Sequence, residues 1–295
     1  MTTPEENVRS LVEVLDLAPA EPIHTSPEGH WFLGQSQYKP DERVFGGQVL
    51  SQCVVAAGRT VQEDRPVHSL HGYFLRAGDV KKPIHFGVEE LRDGGSFSAR
   101  RVHAYQDGTP IMSVMASFQR VQEGFDHQDD FPADIPAPED CTEMLDHLAG
   151  VDIPHVKEWI AKRPFEMRAV ENNIYLRNDG ERTNHQSVWI RTTAPFPDDP
   201  LLNSAALAYA SDFNLLEAGL RRHGLAWTEP GLRLASLDHA MWWHRPIRVD
   251  EWMLYSQTSP SAEGGRNLGF GRIFHRDGTL LATVAQQGMM RVKAR

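Results

Sequence analysis

Two stretches of the chain are apolar at helical spacing. GGQVLSQCVVAAGRTV from Gly46 and NSAALAYASDFNLLEAGLRR from Asn203 place small and aliphatic residues three and four apart, so one face of a helix is apolar in each. Asn203 or Ser204 supplies an N-cap for the second stretch and Gly224 a stop. β-rich runs follow each helix. Asp107-Gly108 and Asp277-Gly278 interrupt such runs and read as hairpins, because both turn positions want positive φ. The predicted order is strands, one long helix, then several antiparallel strands, and it occurs twice.

The repetition extends to sequence. DGGSFSARRVHAYQDGTPIMSVMASFQ from Asp93 aligns without a gap on EGGRNLGFGRIFHRDGTLLATVAQQGM from Glu263. Paired glycines and Asp-Gly-Thr coincide, and SLHGYFLR from Ser69 sits where SLDHAMWWHR from Ser236 sits. Residues 121–140 between the halves are acidic and carry three prolines, the composition of a linker. A duplicated unit, each copy a helix wrapped by an antiparallel sheet, is the architecture these patterns imply.

The 295-residue length suits two domains of ordinary size. A net charge of −10 excludes a general nucleic-acid binder, which needs a basic face. Local arginines could still hold a phosphorylated substrate. Cys53 and Cys141 have neither disulfide-framework nor metal-ligand spacing and read as reduced thiols. No apolar run is long enough for a membrane helix, and the polar, acidic MTTPEENVRS is unlike a signal peptide. RVKAR is not a peroxisomal address, so a cytoplasmic placement is expected.

Two positions break the patterns. Asp212 falls on the stripe of Ala205, Ala208, Tyr209, Leu215, Leu216 and Gly219, where a carboxylate costs several kcal/mol unless something binds it. It is either a structural acid paired with an arginine or a functional acid or base. TVAQQGMM puts Gln286 and Gln287 in an apolar strand, and adjacent strand residues face opposite ways, so one points inward. The position matching Gln286 in the first half is Ala116, which suggests one working site per chain. In SLDHAMWWHRP, Ser236, Asp238 and His239 are too close in sequence to form a triad with one another. His239 and His244 read as structural, since no metal-binding spacing surrounds them. The chain has no GxSxG, P-loop or dinucleotide fingerprint. Lys81-Lys82 reads as a solvated turn.

Taken together, several segments resemble one family. FGGQVLSQ, VHSLHGYFLRAGD and LRDGGSFSARRV in the first half, with AYASDFNLL, SLDHAMWWHRP, DEWMLYSQTSPSA and VAQQGMMR in the second, are similar to acyl-CoA thioesterase II, the TesB-type thioesterases. The resemblance implies an α+β double hot-dog fold. Its expected divisions are an N-terminal hot-dog domain at 8–120, a linker at 121–165 and a C-terminal hot-dog domain at 166–293. It implies hydrolysis of fatty acyl-CoA to free acid and CoA without metal or cofactor, and a homo-oligomer with no nucleic-acid or membrane partner. The family's acid, hydroxyl and amide fall on Asp212, Ser236 and Gln286, holding an attacking water. Gly47, in the Gly46-Gly47 pair, and His71 are expected to contact substrate. Arg76, Arg100, Arg101, Arg245 and Arg266 are candidates for the CoA phosphates. A hydratase on the same fold and a non-catalytic acyl-CoA-binding regulator are the competing readings.

Overall fold

A computed structural model describes residues 2–24, 29–39, 41–144, 146, 161–178 and 180–293. The first half runs α1 (Pro4–Leu15), β1 (Ala18–Pro19), β2 (His30–Gly34), α2 (Gly46–Gly58), β3 (Val67–Phe74), β4 (Ile84–Asp93), β5 (Phe97–Gln106) and β6 (Thr109–Gln119). The second runs β7 (Phe165–Ala169), β8 (His185–Thr192), α3 (Pro200–Ser211), α4 (Glu217–His223), β9 (Leu232–Ser236), β10 (Asp238–Trp243), β11 (Met253–Glu263), β12 (Arg266–His275) and β13 (Leu280–Val292).

Among the described residues these strands make one antiparallel sheet, ordered β1-β2-β4-β5-β6-β3-β10-β13-β12-β11-β8-β7, with β9 paired to β13. The duplication is visible in that order: β3-β6-β5-β4-β2 leads away from the middle on one side and β10-β13-β12-β11-β8 on the other. The halves meet where β3 and β10 pair, with Gly72 opposite His239. Each half curls around its helix, and the fold is a double hot-dog. No helix among the described residues is long and apolar enough to cross a membrane.

The central helices are buried all round rather than along one stripe. Leu50, Cys53, Ala56 and Ala57 of α2, and Ala205, Ala206, Leu207 and Ala208 of α3, have no exposed surface. The two helices pack on each other, and α1 packs against both. The two approach so closely that a methyl group on Gly47 would lie 2.5 Å from the Tyr209 carbonyl oxygen.

Several local expectations change. The second long helix is not continuous: it stops at Ser211 and resumes at Glu217, with Asp212 as its C-cap. Its N-cap is Asp199, whose side chain accepts the Leu202 N–H at 2.9 Å, with Pro200 in the first turn. Asn203 instead accepts the Val249 N–H and is buried. Gly224 does end the helix, at φ 69°. Asp107 and Gly108 both take positive φ, whereas of the second pair only Gly278 does. That hairpin has a longer loop, closed by the His275 N–H on the Thr279 carbonyl. The first half begins before residue 8, because Thr3 and Glu6 cap α1 reciprocally. The described part of the 121–165 stretch is strapped to the second half. Phe131 packs on Phe274, while Asp126 and Asp129 pair with Arg245 and Arg272. Residues 147–160 of that stretch lie outside the described residues.

Replacing Gly47 by Ala should force the two central helices apart at a rigid backbone contact. Urea unfolding should show a loss of about 1–3 kcal/mol, the usual cost of overpacking.

Candidate active site

Asp212 is placed by the break in the second helix. As the C-cap of α3, with φ −90° and ψ 3°, Asp212 stands beside the start of α2, where Gly47 donates its N–H to the carboxylate. The positive end of the α2 dipole faces the same group. Close approach is possible because Gly46 has no side chain: a methyl there would lie 2.7 Å from Asp212 Oδ2.

The hydroxyl reaches the site through a bulge. Ser236 pairs with Gly288, whereas Ala240 pairs with Ala285, so the ladder slips by one residue at Leu237. His239 and Met241 of β10 are buried in the interior, and without the slip Ser236 would face outward. With it, Ser236 faces inward beside Gln286. Gln286 is 1% exposed, and its neighbour Gln287 is half-buried on the other face.

The three side chains form a closed triangle. Gln286 Nε2 donates to Asp212 Oδ1 at 2.5 Å and to Ser236 Oγ at 2.7 Å, and Ser236 Oγ donates to Asp212 Oδ1 at 3.2 Å. Burial pushes the Asp212 carboxyl up from 3.8 to about 6, against the opposing pull of Gln286, Ser236, the Gly47 N–H and Lys39. An acid with that pKa is mostly ionised at neutral pH yet basic enough to take a proton.

The triangle lines a cavity of about 470 Å³ between the halves. Its walls are largely apolar, with Val49, Phe74 and Met112 from the first half and Leu216, Trp227 and Leu234 from the second. Lys39 and Arg76 also line it. Among the described residues no group of three or more His, Cys, Asp or Glu side chains could hold a metal ion.

This fold and site can be set beside known proteins. A family profile described as "Acyl-CoA thioesterase" matches residues 130–289, and one described as "Acyl-CoA thioesterase N-terminal domain" matches 35–119. Acyl-CoA thioesterase 2 of Haemophilus influenzae is 40% identical over 267 residues, covering 88% of this chain and 92% of that protein. The chain belongs to the acyl-CoA thioesterase family. Human acyl-coenzyme A thioesterase 8 is also 40% identical, over 89% of this chain and 85% of its own length. The crystal structure of acyl-CoA thioesterase II TesB2 from Mycobacterium marinum superposes with a TM-score of 0.76 at 42% identity, covering 97% of this chain and 98% of that one.

Within this thioesterase fold several of the expected substrate-facing residues lie away from the cavity. Gly47 does not line the cavity: it is pressed against the Tyr209 carbonyl and gives its N–H to Asp212, and Gly46 takes the lining position. His71 lies on the outer face of β3, exposed and edge-on to Trp242, because its neighbours Leu70 and Gly72 take the inner face. Of the five candidate arginines only Arg76 borders the cavity. Arg100 is buried against Asp93 and Thr60, Arg101 pairs with Glu89, Arg245 with Asp126, and Arg266 sits at the β11–β12 turn. His239 is buried and donates to or accepts from the Ser211 hydroxyl at 2.9 Å, and burial holds its pKa down to about 3. Trp227 and Lys39 were not singled out from sequence, since nothing local distinguishes a cavity wall from a core or a turn.

The raised pKa makes Asp212 a destabilising charge. Its contribution favours the folded state below pH 4 and is lost as pH rises through 6. Asp212→Asn should therefore match wild type in acid and exceed it above pH 6 by up to about 3 kcal/mol, measured by urea unfolding from pH 4 to 8.

Proposed function

We propose that this protein hydrolyses fatty acyl-CoA to free acid and CoA, using a water activated by Asp212 with Ser236 and Gln286. The observation that carries the reading is the buried carboxylate, pushed up to about 6, sharing hydrogen bonds with a hydroxyl and an amide at the wall of an apolar cavity. The names of its relatives point to the same substrate class.

In this mechanism the Asp212 carboxylate takes a proton from water as the water oxygen attacks the thioester carbonyl carbon. Ser236 and Gln286 fix the carboxylate and the water. The N-terminal end of α2 stabilises the negative charge on the carbonyl oxygen. Collapse of the tetrahedral intermediate breaks the carbon–sulfur bond, and the departing thiolate recovers the proton from Asp212. No metal or cofactor is needed for the electron balance. The acyl chain lies along the apolar walls, and Arg76, with Lys39, meets the phosphates of CoA.

The hydratase reading fits the geometry less well. That chemistry needs a histidine and an acid facing the substrate, but His239 is engaged by Ser211, and Asp238 accepts the Gln287 N–H on the far side of the strand. A homo-oligomer is part of the same proposal. Tyr73 and Met115, on the outer sheet face near the β3–β10 seam, are 63% and 54% exposed and offer it an apolar surface. Two unpaired buried cysteines fit the cytoplasm.

A thiol-release assay over short, medium and long acyl-CoAs tests the reading, with enoyl-CoA hydration as the contrasting assay. Asp212→Asn should lower kcat by about 10²–10⁴, the range for a lost general base, and near-wild-type turnover would remove the mechanism. Wild-type kcat should rise with pH through an acid limb near 6. Arg76→Ala should raise KM for acyl-CoA but not for the matching acyl-pantetheine, which lacks the phosphates.

A further inference from the structure

The break at Asp212 leaves the Ser211 carbonyl without a helical partner deep inside the protein, and a side chain of the sheet takes it. Tyr255 donates its hydroxyl to the Ser211 carbonyl at 3.0 Å. Gln186 and Asn267 add second donors, at 3.2 and 3.1 Å, to the Asn214 and Leu216 carbonyls, which already accept the Glu217 and Leu220 N–H groups. An unpaired carbonyl at such depth is costly, so the Tyr255 donor helps to define where α3 ends. It acts on the residue whose carbonyl begins the peptide bond to Asp212.

We propose that Tyr255 is a positioning residue that sets where Asp212 stands. The inference rests on Asp212 being the base. Three observations carry it. Tyr255 is fully buried, so its hydroxyl has no solvent to turn to. Its ring lies over Gly271 on the adjacent strand β12, a position where any side chain would collide with the ring. Ser211 is held from a second side as well, its hydroxyl bonded to His239. The last turn of α3 is thus clamped through its carbonyl by β11 and through its side chain by β10.

The clamp has an electrostatic consequence. The Ser211 carbonyl belongs to the negative end of α3, one peptide from the carboxylate. The Tyr255 hydroxyl hydrogen offsets that negative potential. The other groups facing Asp212 are Lys39 and Arg76 in the cavity, the Gly47 N–H of α2, Ser236 of β9 and Gln286 of β13. His239 of β10 reaches it through Ser211 and is neutral at physiological pH. None of these donates to the Ser211 carbonyl in place of Tyr255.

The test compares Tyr255→Phe and 3-fluorotyrosine at position 255 with wild type and Asp212→Asn in the thiol-release assay across pH. Tyr255→Phe should lose about tenfold to a hundredfold in kcat, the cost of a slightly misplaced catalytic group. Its KM should stay within about twofold, as when ground-state binding is intact. Its acid limb should move to higher pH, since the carbonyl is no longer offset. A fluorinated ring makes the hydroxyl a stronger donor, so its limb should move to lower pH. Should Tyr255→Phe not fold, the fluorotyrosine limb alone decides. An unmoved limb in the fluorotyrosine protein, or wild-type kcat and limb in Tyr255→Phe while Asp212→Asn is inactive, overturns the positioning role. An active Asp212→Asn overturns the assignment of the base instead.

Discussion

Everything about the site depends on keeping one carboxylate ionisable inside an apolar interior. Burial alone would drive the Asp212 carboxyl to its neutral form, and hydrogen bonds alone would leave it too weakly basic to take a proton from water. The protein balances the two. Gln286, Ser236 and the Gly47 N–H donate to the acid, while burial among the sheet and the two central helices keeps it basic. Each donor comes from a different element, so the balance is a property of the whole assembly.

That demand explains the least regular parts of the second half. The helix ends at Asp212, beside α2, and the break strands the Ser211 carbonyl inside the core. Tyr255 answers that problem, and Gln186 and Asn267 add donors to the Asn214 and Leu216 carbonyls nearby. In the first half α2 has no such interruption, and Ala116 occupies the place that matches Gln286.

The duplicated architecture was legible because periodicity and paired turn signals report on every residue of an element. Asp212 and Gln286 were legible for the opposite reason, as polar residues where the pattern required apolar ones. Ser236 came from family resemblance alone. Its inward orientation depends on a bulge at Leu237, which local sequence does not mark. The helix break was hidden because ASDFNLLEAGL has good helical spacing; the sheet donors that stabilise the break lie 25 or more residues away in the chain. His71 misled because its neighbours share a motif with the site while alternation turns its side chain to the other face.

The contact between Gly47 and Asp212 joins the two halves of the chain at the reacting centre. The acid belongs to the later-synthesised half and the N–H that steadies it to the earlier one. The second half carries Asp212, Ser236 and Gln286, and the first carries the helix terminus that faces them. Turnover therefore requires both halves, joined where β3 pairs with β10 and where α2 meets α3.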